Sequence, residues 1–200
     1  MSLAVLGPDG RGRCPWGVAP PEYAAYHDEE WGRPFTGERA MFERLSLEAF
    51  QSGLSWLVIL RKREAFRTAF AGFDPEAVAG FGPAQEARLL QDAGIVRNVA
   101  KVRATIGNAR AVLALRGDGG LEQLVRAHRP PPRRGPRARS LTDVPATTPE
   151  SVALARALKR AGFSFVGPTT AYSTMQACGL VDDHVDGCHV PPPPGTRTGG

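Results

Sequence analysis

The stretch Gly162-Phe163-Ser164-Phe165-Val166-Gly167 lies between two segments that read as helices, Ser151 to Ala161 and about Pro168 to Cys178. Two helices joined by a glycine-bounded apolar turn make a helix-hairpin-helix candidate. The second glycine lets the backbone approach a ligand closely, and the free N–H groups at the start of the following helix point at an anion. A DNA phosphate fits there, with Gly162, Phe165, Gly167 and Thr169 as the contacting positions. Taken alone, a helical hairpin punctuated by glycine is more often plain architecture.

Outward from the hairpin, helical periodicity dominates from about residue 38 to residue 116, and no alternating stretch is long enough to build a sheet, so the fold class is all-α. Glu38 to Gln51 carries an apolar stripe of Met41, Phe42, Leu45, Ala49 and Phe50. Phe73-Asp74-Pro75 reads as a helix start with Asp74 capping. Further helices are expected at roughly 84 to 92 and 98 to 115, broken by Gly94, and Glu150 sits near the start of the helix that precedes the hairpin.

With 200 residues, 42% of them hydrophobic, and no run of eighteen apolar residues, the chain suits one soluble domain or two small helical lobes and no membrane span. Residues 1–13 read as a frayed extension without a secretion signal, and residues 190–200, VPPPPGTRTGG, as a disordered tail. Between Gln123 and Thr142 there is no acidic residue, while six arginines accumulate among prolines, so about 126–142 is expected as an exposed basic loop. It could track phosphates or be a solvated insertion with no role. The net charge of +5 and a pI near 9.6 fit a polyanionic partner, as they fit many basic proteins without one.

Three cysteines make an odd, sparse set that fits a reducing compartment and leaves metal binding or packing as their use. Cys14, His27, His184 and Cys188 would make a closed Cys2His2 tetrahedron joining the two ends of the chain. The one-turn spacing of His184 and Cys188 is suitable, whereas the gap from Cys14 to His27 is not diagnostic, and free thiols with unrelated histidines remain the rival. His189 is an alternative ligand. Cys178, inside an apolar helix, reads as a buried small hydrophobe.

Glu48 shares a helical face with Leu45 and Ser52, so its carboxylate would point inward and need partners. A partly exposed salt bridge to Arg44 is the plainer alternative. The three tryptophans, Trp16, Trp31 and Trp56, fall near Tyr23, Tyr26 and Glu48. Together they could form an aromatic box with one acid, which suits an electron-poor, cationic ring.

In the endonuclease III superfamily of base-excision enzymes the hairpin is followed by a helix and a catalytic aspartate, and Val181-Asp182-Asp183-His184 resembles that context, with Asp182 as the aspartate. Gly94-x-x-x-Asn98-x-x-Lys101 resembles a helix start of the same superfamily, and is otherwise an ordinary capped helix. A closer resemblance is carried by Cys14-Pro-Trp16, Tyr23-x-x-Tyr26-His27-Asp28-x-Glu30-Trp31-Gly32 and Leu47-Glu48-x-x-Gln51-x-Gly53-Leu54-Ser55-Trp56. Gln91-Asp92-Ala93-Gly94-Ile95, Gly107-Asn108-Ala109-Arg110-Ala111, Gly162-Phe163-x-Phe165-Val166-Gly167-x-Thr169 and Met175-Gln176-Ala177-Cys178-Gly179-Leu180-Val181-x-Asp183-His184 extend it. Over about residues 14 to 188 the chain resembles the type I (TAG) 3-methyladenine DNA glycosylases.

That resemblance implies a helical glycosylase domain over 14–189 that excises 3-methyladenine from double-stranded alkylated DNA by flipping the nucleotide. In it Glu48 and Tyr26 would hydrogen-bond the base, Trp56 would stack on it, and Trp16, Tyr23 and Trp31 would line the pocket. Gln51, Gly53 and Leu54 would enter the gap left in the duplex, with Leu54 as the wedge. Cys14, His27, His184 and Cys188 match the family's positions for a structural Zn2+. Glu48 and Asp182 are the expected catalytic acids, although the family commonly has asparagine where Asp182 stands. The family's Trp-Ser-Phe stretch is replaced here by Gln123-Leu124-Val125, which bears on local packing rather than on the pocket. Pro168 and Thr169 occupy the place of a lyase lysine, so a monofunctional enzyme is implied, working as a monomer on nucleoid DNA in the cytoplasm. A DNA-binding module without catalysis and a zinc-stabilised interaction protein are the competing classes.

Overall fold

The structure, a computed structural model, describes residues 3–197. The expectations for residues 1–2 and 198–200 lie outside the described residues. Helices dominate: α1 (Pro21–Glu29), α2 (Glu38–Gln51), α3 (Trp56–Ala69), α4 (Pro75–Ala79), α5 (Pro83–Gln91), α6 (Val99–Leu115), α7 (Gly120–Arg126), α8 (Pro149–Arg160) and α9 (Pro168–Ala177). The only sheet among the described residues pairs β1 (Val5–Leu6) with β2 (Gly12–Arg13), antiparallel.

Local chemistry sets the helix ends. Asp74 caps α4 by accepting from the N–H groups of Glu76 and Ala77, both at 3.0 Å, with Pro75 in the first turn where no N–H is needed. Asn98 caps α6 through Lys101 N, and Thr148 with Ser151 forms a reciprocal cap on α8. At the end of α8, Gly162 N–H donates to Lys159 O and Phe163 N–H to Leu158 O, the paired bonds of a Schellman stop. That stop requires a left-handed residue, and Gly162 takes φ +93° without a Cβ penalty.

α2 lies at the centre, packed against α3, α6, α7 and α9. Its Met41, Phe42, Leu45, Leu47 and Phe50 are buried, and Phe50, Phe66, Phe70 and Phe73 continue as a run of contacting rings. The helices share one continuous core from Met41 to Val181, and a smaller cluster of Cys14, Val185, Cys188 and Val190 ties the ends of the chain together.

Three segments differ from their sequence reading. The expected fray at 3–13 is the β1–β2 hairpin, pinned where Arg13, only 6% exposed, donates to both Asp9 and Asp28. The expected tail is held from 190 to 197: Val190 and Thr196 are buried, Thr196 O accepts from Arg133 N at 2.8 Å, and Arg129 donates to Pro194 O. Within the basic loop, Arg134 and Arg139 are exposed as expected, but Arg137 makes a bidentate pair with the buried Asp182 and Arg133 reaches the buried Asp183 at 3.2 Å. The cause is shared. Each segment is ordered by partners far away in the chain, and two buried carboxylates require cations, which this loop and Arg197 bring.

Arg137→Met therefore leaves Asp182 with Arg197 alone, 3.4 Å away. Urea unfolding is expected to show a loss on the order of 3 kcal/mol, largely restored in Arg137→Met/Asp182→Asn.

Candidate functional site

One cavity of about 400 Å³ gathers Trp16, Tyr23, Tyr26, Trp31, Glu48 and Trp56, the six residues expected to bind a base. Tyr23 and Tyr26 lie one turn apart on α1, Glu48 and Gln51 one turn apart on α2, and Trp56 opens α3. Trp16 meets Tyr23 and Trp31 edge-on, with centroids 5.9 and 5.0 Å away and planes 82° and 85° apart. Tyr26 and Trp56 tilt together at 5.3 Å. The wall is completed by Gln51, expected only as a DNA contact, and by Val144, Ser173, Gln176, Asp183 and Val185, which the sequence reading did not assign. Gln176 and Asp183 stand inside a motif already quoted for the family resemblance, so their signal was present. Val144, from the irregular segment after the basic loop, carried none.

Glu48 is 6% exposed and makes no hydrogen bond or ion pair among the described residues. Burial pushes its pKa up to about 7, with the Arg44 guanidinium pulling the other way. The salt bridge to Arg44 does not form. Arg44 Nη1 instead donates to Tyr26 Oη at 2.7 Å, and its guanidinium lies against the Tyr26, Phe35 and Trp56 rings. Arginine has no acceptor, so the Tyr26 oxygen is the acceptor and the Tyr26 O–H remains to donate. The Tyr23 oxygen accepts from Leu57 N at 3.0 Å. The cavity thus offers an unpartnered acceptor, Glu48, and an uncommitted donor, Tyr26, among aromatic rings.

The expected catalytic aspartate does not reach the cavity. Asp182 is absorbed by Arg137 and Arg197 and does not line the cavity, whereas Asp183 does. Successive side chains of this irregular segment point to opposite sides, and sequence alone gave no phase for it. Asp183 accepts from Tyr172 O–H, from Gln176 Nε2 at 2.9 Å and from Arg133 Nη1 at 3.2 Å, which fix it in one orientation.

Beside the cavity, the ligand atoms of Cys14, His27, His184 and Cys188 lie within 4.8 Å of one another, all buried, and can hold a metal ion. Cys188 Sγ is 3.4 Å from both His27 Nε2 and His184 Nδ1, and Cys14 Sγ is 3.6 Å from His184 Nδ1. Asp28 Oδ1, held by Arg13, lies 2.8 Å from His27 Nδ1 and so turns the Nε2 lone pair toward the cluster, where it accepts from Cys14 N at 3.3 Å. Gly32 admits the His184 ring: its φ is +74°, and a Cβ there would come within 2.9 Å of Nε2. His189 faces Gly12 O and Asp28 and is outside the cluster, and Cys178 is buried in the main core.

On the outer surface, Leu54 at 40% and Phe165 at 43% are two of the few exposed large apolar side chains. Leu54 follows Gly53 in the α2–α3 turn, and Phe165 sits in the hairpin with φ +57°, an unusual conformation for an aromatic residue. Gly162 and Thr169 are exposed beside it, and no atom lies within 4 Å of the place a Gly167 Cβ would take, so the backbone there is open to approach.

A methyladenine glycosylase family model matches residues 16–191. DNA-3-methyladenine glycosylase 1 of Escherichia coli (strain K12) is 47% identical over 182 residues, 88% of this chain and 95% of that protein. A crystal structure of a 3-methyladenine DNA glycosylase I superposes with a TM-score of 0.85 at 47% identity, covering 90% of this chain and all of that one. The enzyme from Staphylococcus aureus, solved for its recognition of 3-methyladenine, gives 0.80 at 31% identity, covering 94% and 98%. A glycine-bounded helical hairpin beside a deep aromatic cavity defines a helical DNA glycosylase in architecture. The chain belongs to the methyladenine glycosylase family.

The raised pKa of Glu48 has a thermodynamic sign. Its contribution to stability is full below the unfolded value near 4.5 and is lost as pH rises through about 7, at a cost of about 3 kcal/mol. Glu48→Gln is therefore expected to raise the melting temperature by roughly 6–12 °C at pH 8. At pH 4, below the unfolded value, the two proteins should melt together, and an equal shift at both values contradicts a buried, unpartnered carboxylate.

Proposed function

We propose that the chain hydrolyses the N-glycosidic bond of 3-methyladenine in alkylated double-stranded DNA, as a monofunctional glycosylase of base-excision repair. The observation that carries this reading is the pair of unsatisfied groups in one aromatic cavity, the Glu48 acceptor and the Tyr26 donor. Adenine offers the complement, an N6 amine donor next to a ring-nitrogen acceptor, whereas guanine would set its O6 acceptor against the carboxylate. Methylation at N3 gives the ring a positive charge, which the carboxylate and the π faces of Trp16, Trp31 and Trp56 attract.

The charged base leaves as a neutral molecule, so protonation of the leaving group is a minor requirement and positioning the main one. The nucleotide is flipped out of the stack. Leu54, with Gln51 and Gly53, fills the gap, and the hairpin at Gly162, Phe165, Gly167 and Thr169 holds the phosphate backbone. Asp183 takes the role first given to Asp182: its carboxylate stabilises the oxocarbenium-like sugar and orients the water that attacks C1′.

The metal cluster is read as a structural Zn2+ site. Zn–S near 2.3 Å and Zn–N near 2.0–2.1 Å at tetrahedral angles require S···N edges of about 3.5 Å, and three of the four such edges here are 3.4 to 3.6 Å. Four protein ligands leave no place for a reacting water, so the ion would supply rigidity only. It would hold Cys14, two residues from Trp16, against His184, whose ring meets Trp31 at 4.6 Å. Among the described residues no helix is long and apolar enough to cross a membrane. One chain acting alone on nucleoid DNA in the cytoplasm completes the reading.

The test is chromatography of bases freed from methylated duplex DNA, with zinc measured on the same preparation. Wild type should release 3-methyladenine and carry one zinc. Glu48→Gln and Asp183→Asn should each lose roughly 100-fold or more in rate, while folded Asp182→Asn keeps its activity. Equal activity of Glu48→Gln and wild type removes Glu48 from the mechanism, and tight DNA binding without base release replaces the enzyme by a binding module.

A further inference from the structure

Neither the cavity nor the DNA-facing turns account for two buried polar side chains of α6. Lys101 is 7% exposed, has no carboxylate partner among the described residues, and donates from Nζ to Phe50 O at 2.8 Å and to Ser52 O at 2.6 Å. These carbonyls end α2 and open the turn that carries Leu54. Asn108, 2% exposed, holds the hairpin backbone with both ends of its amide: Nδ2 donates to Ser164 O at 3.1 Å, and Ser164 N donates to Oδ1 at 2.8 Å.

The two residues are seven apart, so they share one face of α6 about 10.5 Å apart along its axis. Thr105, between them, returns its hydroxyl to Lys101 O and takes part in neither grip. One rigid helix therefore grips the turn before Leu54 at one end and the turn before Phe165 at the other. Burying a lysine with only carbonyl partners is an expensive way to end a helix, since glycine or water would serve. What the lysine adds is a fixed link between α2 and α6.

We propose that Lys101 and Asn108 are positioning residues that hold the Leu54 turn and the hairpin at a set separation, so that wedge insertion and phosphate grip occur in register during nucleotide flipping. This rests on the base-excision reading above. The brace acts mainly on extrusion: of the cavity residues only Gln51 lies between the carbonyls that Lys101 holds, and the hairpin that Asn108 holds lines none of the cavity, which separates it from a general structural role.

The experiment uses Lys101→Met and Asn108→Ala in the full chain, with circular dichroism and zinc content establishing the fold. Three readouts are taken: binding of free 3-methyladenine, base release from fully paired methylated duplex, and release from duplex carrying the lesion in an unpaired bulge. Free-base binding should be unchanged in Asn108→Ala and should change far less than release from paired duplex in Lys101→Met. Release from paired duplex should fall by roughly 10- to 100-fold, the scale of a misplacement near 1 Å. The bulged substrate, already unstacked, should recover most of that loss. The double variant should lose no more than the worse single one, because both cut one brace. Unchanged release from paired duplex, or equal loss on paired and bulged DNA, overturns the proposal. If Lys101→Met does not fold, Lys101→Gln and Asn108→Ser carry the same comparison. Failure of the wild type itself to bind 3-methyladenine refutes the base-excision reading, not the brace.

Discussion

A carboxylate buried without a partner is the constraint around which this molecule is arranged. Glu48 sits on the central helix α2, and the ring-lined cavity in front of it supplies no donor to its oxygens. A side chain chosen for stability would be apolar or paired. Retaining the acid is understandable if the missing donors arrive with a ligand, and a cationic ring brings both the amine and the charge. Arg44 extends the arrangement: by occupying the Tyr26 oxygen it commits that hydroxyl to donate, while its charge limits how far the acid is pushed toward the neutral form.

The aromatic walls depend on the ends of the chain meeting. Trp16 and Trp31 flank the Cys/His cluster, and His27 and His184 pack against the same indoles. A chain of contacts runs from Arg13 to Asp28 to His27 and on to Cys188. Cluster and cavity are thus one piece of construction, in which the ligands fix the indoles and the indoles exclude water from the ligands. The held N-terminal hairpin and the ordered segment at 190–197 are consequences of the same closure.

What was legible in the sequence was local or carried by motif. Asp74 and Asn98 declare their helices because a cap acts within three residues, and Gly162 declares the end of α8 because only glycine takes that conformation freely. The cavity residues were legible from type and motif together, since three tryptophans, two tyrosines and one inward acid point to a cationic guest. Periodicity does not reach irregular segments. Whether Asp182 or Asp183 faces the cavity depends on the phase of a non-helical stretch, and that phase is fixed by Arg137 and Arg133, some fifty residues away. The same holds for Arg13 and for the tail, whose order comes from partners that no window of sequence contains. Gln176 and Asp183 were visible as motif positions, but their roles required the cavity to be seen.

The most direct measurement is the titration of the Glu48 side-chain carboxyl by carbon-13 NMR, in the free protein and with 3-methyladenine bound. The account places the free midpoint near 7 and moves it downward on binding, because donors from the base favour the ionised form. A free midpoint near the ordinary 4.5, unmoved by the base, would contradict it.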